Sequence, residues 1–277
     1  MRLNRFLAAA GLGSRRACDE LIRASDVVLN GTKVEKLATN VEPGDDVRVR
    51  GRRVQQSQLF YVLLNKPRGF VVTRSDERGR RTIYDLLPPE FANLSHVGRL
   101  DKESEGLLIL TNDGKLSQRL THPSHEIEKE YEVTLDRAYD PVHTPKLIKG
   151  IFIEGGRGRF ERVHMLAAKV IRVILRQGIK RQIRLMMYDL GYEVERLVRT
   201  RIGAVKDTRL FSGGHRQLTA RELESLVSAK PAPRKKSDAT ASSTPKPTPK
   251  PRARPKRPRP LRPTKTMKPR RSRASKT

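Results

Sequence analysis

The spacing of apolar positions makes the chain open with two short helices. Leu3, Phe6, Leu7 and Ala10 recur at helical intervals, Gly11-Leu12-Gly13 ends that run, and Ser14 offers an N-cap to a second helix. The second apolar stripe is Ala17, Cys18, Leu21 and Ile22, and Arg15, Arg16 and Arg23 fall off it. Val27-Val28-Leu29 and Thr32-Lys33-Val34 flank Asn30-Gly31, the strongest two-residue hairpin signal. Pro43-Gly44 then turns into the alternating Val47-Arg48-Val49-Arg50, and the polar, aperiodic stretch from Gly51 to about Leu59 reads as a hinge.

Beyond the hinge the pattern turns to strands. Phe60 to Leu64 is a buried-type strand ending at Asn65-Lys66-Pro67-Arg68-Gly69, with Phe70 to Thr73 as its expected partner. Ser75 to Arg81 is a basic loop, and Thr82 caps a short helix through Leu87 that Pro88-Pro89 terminates. From Gly98 to Gly114 a charged loop runs straight into an apolar segment of strand length, so that Asp101 is presented from a loop at a sheet edge. A short helix over Leu116 to Leu120 precedes a period-2 strand, Lys129 to Leu135. Gly150 to Gly158, with four glycines, reads as a turn between strands. Ile171 to Leu175 is another strand, Gln177 to Met186 leads into a helix through Leu190 that Gly191 caps, and a further strand places Arg199 and Arg201 on one face. Thr219-Ala220-Arg221-Glu222 is a capping box for a last helix to about Ser228.

Charge changes this picture most. A net +29 with a pI near 11.0 points to a polyanion, most simply nucleic acid. Residues 230–277 hold eighteen Lys and Arg against the single acid Asp238, so +12 remains for the rest of the chain. Eleven of the eighteen prolines also fall there, a composition that cannot bury a core, and a disordered basic tail over 229–277 is expected. The lone Cys18 excludes an internal disulfide, the six histidines have no metal-ligand spacing, and no segment has membrane-spanning length or a leader pattern. A cytoplasmic protein without metal is expected.

Several segments, in order, resemble a known family. Gly98-Arg99-Leu100-Asp101, Asn65-Lys66-Pro67-x-Gly69, Lys129-x-Tyr131 and Arg181-Gln182-Ile183-Arg184 are similar to the motifs of RNA pseudouridine synthases of the RsuA-like branch, which modifies ribosomal RNA. Arg2-Leu3-Asn4-Arg5-Phe6-Leu7 and Ser14-Arg15-Arg16-Ala17 resemble the small RNA-binding module that precedes the catalytic domain in that branch. Ile179 and Lys180 replace the common Arg-Asn, and Leu185 replaces a frequent second Arg, departures that leave the expected ion pair untouched.

The resemblance implies an α+β chain: a helix-helix-strand RNA-binding module over 1–55, then a mixed α/β catalytic domain around an antiparallel sheet over 60–228. It implies Asp101 as the catalytic residue, Arg184 as its ion-pair partner, Tyr131 as a stacking face for the target base, and Arg99 as the residue filling the space that base leaves. Arg2, Arg5, Arg15, Arg16, Lys33, Lys66, Arg181, Arg199 and Arg201 are the expected RNA contacts. A carboxylate kept ionised in a partly dry pocket by a nearby cation needs no cofactor for this isomerisation. The expected partner is ribosomal RNA, by preference of the large subunit, or an assembly intermediate, bound by a monomer. The competing class is a non-catalytic RNA-binding assembly factor on the same fold, for which the acid at Asp101 would be dispensable.

Overall fold

A computed structural model describes residues 1–228, which lie in one compact unit. The basic tail expected to be disordered, 229–277, lies outside the described residues.

The first module follows its apolar pattern closely. Helices α1 (Leu3–Ala9) and α2 (Arg15–Arg23) precede β1 (Val27–Leu29), β2 (Thr32–Lys33), β3 (Val47–Val49) and β4 (Arg52–Arg53), which pair in the order β2-β1-β3-β4. Ser14 accepts the Ala17 amide at 3.1 Å, supplying the N-cap of α2. Asn30 and Gly31 both take positive φ, 47° and 81°, as their hairpin turn requires. Leu3, Leu7, Cys18, Ile22, Val27, Val47 and Val49 form a separate small core. The expected hinge is shorter than the polar stretch suggests. Arg52 and Arg53 pair with Val49 and Arg48 as the edge strand β4, since an exposed edge strand needs no apolar alternation.

The second part is built on one nine-stranded sheet. Its elements, in chain order, are β5 (Tyr61–Lys66), β6 (Ser95–Val97), β7 (Glu105–Thr111), α3 (Gly114–Thr121), β8 (Lys129–Leu135) and α4 (Thr144–Lys149). There follow β9 (Ile151–Ile153), β10 (Gly156–Gly158), β11 (Arg162–Ala167), β12 (Val170–Leu175), α5 (Gln182–Asp189), β13 (Val194–Ile202), β14 (Val205–Lys206), β15 (His215–Gln217) and α6 (Ala220–Ser228). The main order is β11-β12-β8-β13-β7-β5-β15, with β14 beside β13 and β6 beside β7; β9 and β10 form their own hairpin. Every pair is antiparallel except β13 with β7.

That parallel join decides where things meet. It sets Val198 opposite Glu105 and Arg199 opposite Gly106, bringing together two halves of the sheet with separate cores. Gly106 has φ +103°, and a Cβ there would lie 2.3 Å from the Arg199 carbonyl oxygen. No other residue type fits this approach.

Several expected elements differ. Phe70 to Thr73 is not the partner of β5, which pairs with β7 and β15; Val71 makes only an isolated bridge to Thr82. Gly150 to Gly158 is a hairpin in its own right rather than a turn. The Asp101 loop enters β7 in the interior of the sheet, not at an edge. Arg199 and Arg201 do not share a face: a register shift between them sets Arg199 opposite Tyr131 and Arg201 opposite Glu130, which alternate across β8. One extra residue in a strand inverts the parity that spacing alone assigns.

Gly106→Ala should destabilise the protein by at least about 3 kcal/mol in urea unfolding, combining a forbidden φ with backbone overlap. Gly178→Ala, with open space around it, should stay within about 0.5 kcal/mol of wild type.

Candidate active site

The loop from Gly98 to Ser104 is held by buried cations acting on its backbone. Lys66, on β5 and fully buried, donates its ammonium to the carbonyl oxygens of Pro67, Lys102 and Ser104 at 3.0, 3.3 and 2.7 Å. All three donors are thus used, two of them on the loop. Arg184, on α5, donates from Nη2 to Glu103 O at 3.3 Å and from Nη1 to Val194 O at 2.7 Å. Gly69 N donates to Lys102 O at 2.9 Å, and Ser104 N closes the turn onto Asp101 O at 3.0 Å. Ion pairs of Arg68 with Glu103 (2.7 Å) and Arg196 with Glu105 (2.9 Å) tie down the same segment from outside.

Asp101 is therefore fixed through its backbone, and its half-buried carboxylate has no hydrogen-bond partner among the described residues. It lines a cavity of about 850 Å³ together with Arg99, Lys129, Tyr131, Arg184 and Arg199. Such a volume suits a flipped nucleotide. Tyr131 packs against the cores of both sheet halves, so the cavity lies over their seam. The Arg199 guanidinium stands 6.0 Å from the Tyr131 ring centroid, donates from Nε to Leu107 O at 2.6 Å and reaches the Tyr131 hydroxyl at 3.5 Å.

Comparison with known proteins agrees with this geometry. Residues 60–189 match the model of the RNA pseudouridylate synthase family, and residues 1–47 match the S4 domain. An uncharacterised RNA pseudouridine synthase of Mycobacterium leprae is 40% identical over 235 residues, covering 82% of this chain and 92% of the relative. The chain belongs to the RNA pseudouridine synthase family. The ribosomal large subunit pseudouridine synthase B of Bacillus subtilis is 33% identical, covering 81% of this synthase and 95% of that one. A crystal structure of a pseudouridylate synthase superposes with a TM-score of 0.61 at 31% identity, covering 82% of this chain and 99% of that one.

The fold gathers Arg99, Asp101, Tyr131, Arg181, Arg184 and Arg199 around the synthase cavity. Arg2, Arg5, Arg15, Arg16 and Lys33 stay exposed on the S4 module and line no part of it. Four expectations need correction. The direct ion pair of Arg184 with Asp101 is not formed: the Arg184 terminal nitrogens donate to two carbonyl oxygens, and its buried Nε has no hydrogen-bond partner. Asp101 still acts on it at longer range: burial and Arg181 lower the Arg184 pKa, and Asp101 opposes them. Lys66 and Arg199, expected on RNA, are buried against protein oxygens. Arg201 is likewise engaged, with Glu128 at 3.2 Å and Glu130 at 3.3 Å. Lys129 entered the sequence reading only as part of the Lys129-x-Tyr131 motif and without a role, although its place two residues before Tyr131 on a period-2 strand puts both on one face.

Burial brings the amines of Lys66 and Lys129 down from 10.5 to about 8. Between pH 8 and 10 the unfolded chain then binds more protons than the folded one, so stability should rise with pH across that window. Lys66→Met should lose one of the two contributions to that slope in urea titrations. The same change should sharply lower activity, because the carbonyl oxygens of Pro67, Lys102 and the buried Ser104 lose the ammonium and the Asp101 loop its clamp.

Proposed function

We propose that this synthase converts a uridine of ribosomal RNA, in the large subunit, to pseudouridine, with Asp101 as the catalytic carboxylate and no cofactor. The observation that carries the reading is the combination of a rigidly clamped loop with an unpartnered carboxylate facing the cavity. Relatives from Bacillus subtilis and Xylella fastidiosa bearing the name ribosomal large subunit pseudouridine synthase B support the substrate class.

The isomerisation detaches uracil from C1′, turns it and rejoins it through C5. The base has to leave its stack before Asp101 can reach it. Tyr131 offers the extruded base a stacking face, and the exposed Arg99, two residues from Asp101, fills the vacated position. Asp101 then acts as nucleophile toward sugar or base, or as base for a sugar proton. Arg2, Arg5, Arg15, Arg16 and Lys33 hold RNA phosphates from the S4 module, and Arg181 does so beside the cavity. The protein works as a monomer, on ribosomal RNA or an assembly intermediate in the cytoplasm.

The test maps pseudouridines by carbodiimide labelling and primer extension across ribosomal RNA of cells lacking the protein. One site should disappear, return with wild type, and stay absent with Asp101→Asn, which still binds RNA. Restoration by both versions would remove Asp101 from the chemistry; an unchanged map would leave an RNA-binding protein. Replacing Arg15 and Arg16 together by Ala should lower the slope of log K against log salt by about 1.4 to 1.8, read by filter binding.

A further inference from the structure

Lys129 stands out as a half-buried cation that no carboxylate among the described residues neutralises. It opens β8 on the face that carries Tyr131, and its register neighbours Leu175 and Ile202 are buried and apolar. Its ammonium has three donors but meets one acceptor, Ile127 O at 3.0 Å. Its charged neighbour is another cation, Arg199, which with burial draws the amine down to about 8. Arg199 is 3% exposed, and its Nη2 is buried without a hydrogen-bond partner. Neither side chain makes an ion pair with a carboxylate among the described residues. Two cations with unspent donors, both lining the cavity that Asp101 lines, are costly for folding alone. An oxygen of the bound substrate would offset that cost.

We infer that the Lys129 ammonium, backed by Arg199, donates a hydrogen bond to a carbonyl oxygen of the target uracil as negative charge builds on the ring. The inference rests on the activity proposed above and holds for either route open to Asp101. If the C1′–N1 bond breaks with its pair moving to the base, the uracil carries the charge over N1, O2 and O4. If an Asp101 oxygen adds to C6, the C5–C6 π pair moves to C5 and is shared with O4. Lys129 keeps its proton in both cases and only stabilises the oxygen. Phosphates have other partners, because Arg80, Arg99, Lys102, Lys180 and Arg181 line the same cavity and are exposed. A donor-only group also suits uracil, whose position 4 is an acceptor where cytosine has an amino donor.

The test uses the full chain and ribosomal RNA from cells lacking it, under single-turnover conditions, with affinity measured in parallel. Lys129→Met should lower the saturating rate about 100-fold while changing the RNA Kd by less than about threefold. The wild-type rate should fall above about pH 8 as Lys129 and the loop clamp Lys66 deprotonate. Lys129→Arg should keep part of the rate and make that fall shallower. A rise in Kd with an unchanged saturating rate would make Lys129 a phosphate contact and overturn the inference, as would an unaffected Met variant. Should the Met variant fail to fold, Lys129→Gln decides by the same split: a raised Kd at an unchanged saturating rate overturns it. A wild-type chain that forms no pseudouridine overturns the proposed function and this inference together; an active wild type with an unaffected variant overturns this inference alone.

Discussion

The contact on which the structure depends is the approach of Gly106 to the backbone of Arg199. Two halves of the sheet, each with its own apolar cluster, meet along the single parallel pairing of β7 with β13. A side chain at residue 106 would overlap the partner backbone, so the join exists only where the chain has no Cβ. The site inherits this constraint. One half contributes the Asp101 loop, the other contributes Tyr131, Arg184, Arg199 and Lys129, and a shift of one residue along the join would separate them.

Electrostatics then sets the loop. Lys66 and Arg184 take the carbonyl oxygens of three successive residues, Lys102, Glu103 and Ser104. Charge-assisted hydrogen bonds to backbone are stronger than neutral ones, and here they fix a loop that has no regular secondary structure of its own. Lys66 and Arg184 direct these bonds to the backbone, and the Asp101 carboxylate is left free of any hydrogen bond among the described residues. A direct pair with Arg184 would have tied the carboxylate to the protein; in its absence the group is open to a substrate while still facing positive charge.

The opposite face of β8 shows how the protein keeps those charges in order. Glu128 and Glu130 bind Arg162, Arg172, Arg176, Arg201 and Lys206, so that cations on that face have carboxylate partners. On the cavity face Lys129 and Arg199 have none. Alternation along one strand thus separates a neutralised structural face from a cationic one turned to the cavity.

Local chemistry was enough for much of this. The helices of the S4 module, the Asn30-Gly31 turn, β7 and the span of β8 follow from apolar period, caps and turn residues acting over a few positions. The ordered motifs pointed to Asp101, Tyr131 and Arg184. Tertiary structure decided the rest, because each remaining point depends on residues far apart in sequence. The burial of Lys66 depends on two acceptors that are carbonyl oxygens of the loop thirty-odd residues on. That Arg199 and Arg201 point apart follows from a register shift against β8, which no intrastrand spacing records. That β5 lies between β7 and β15 rather than beside Phe70–Thr73 joins strands far apart in the chain, which the local pattern does not record. Spacing within a segment reports only the energetics of that segment; partner choice is settled by the whole core.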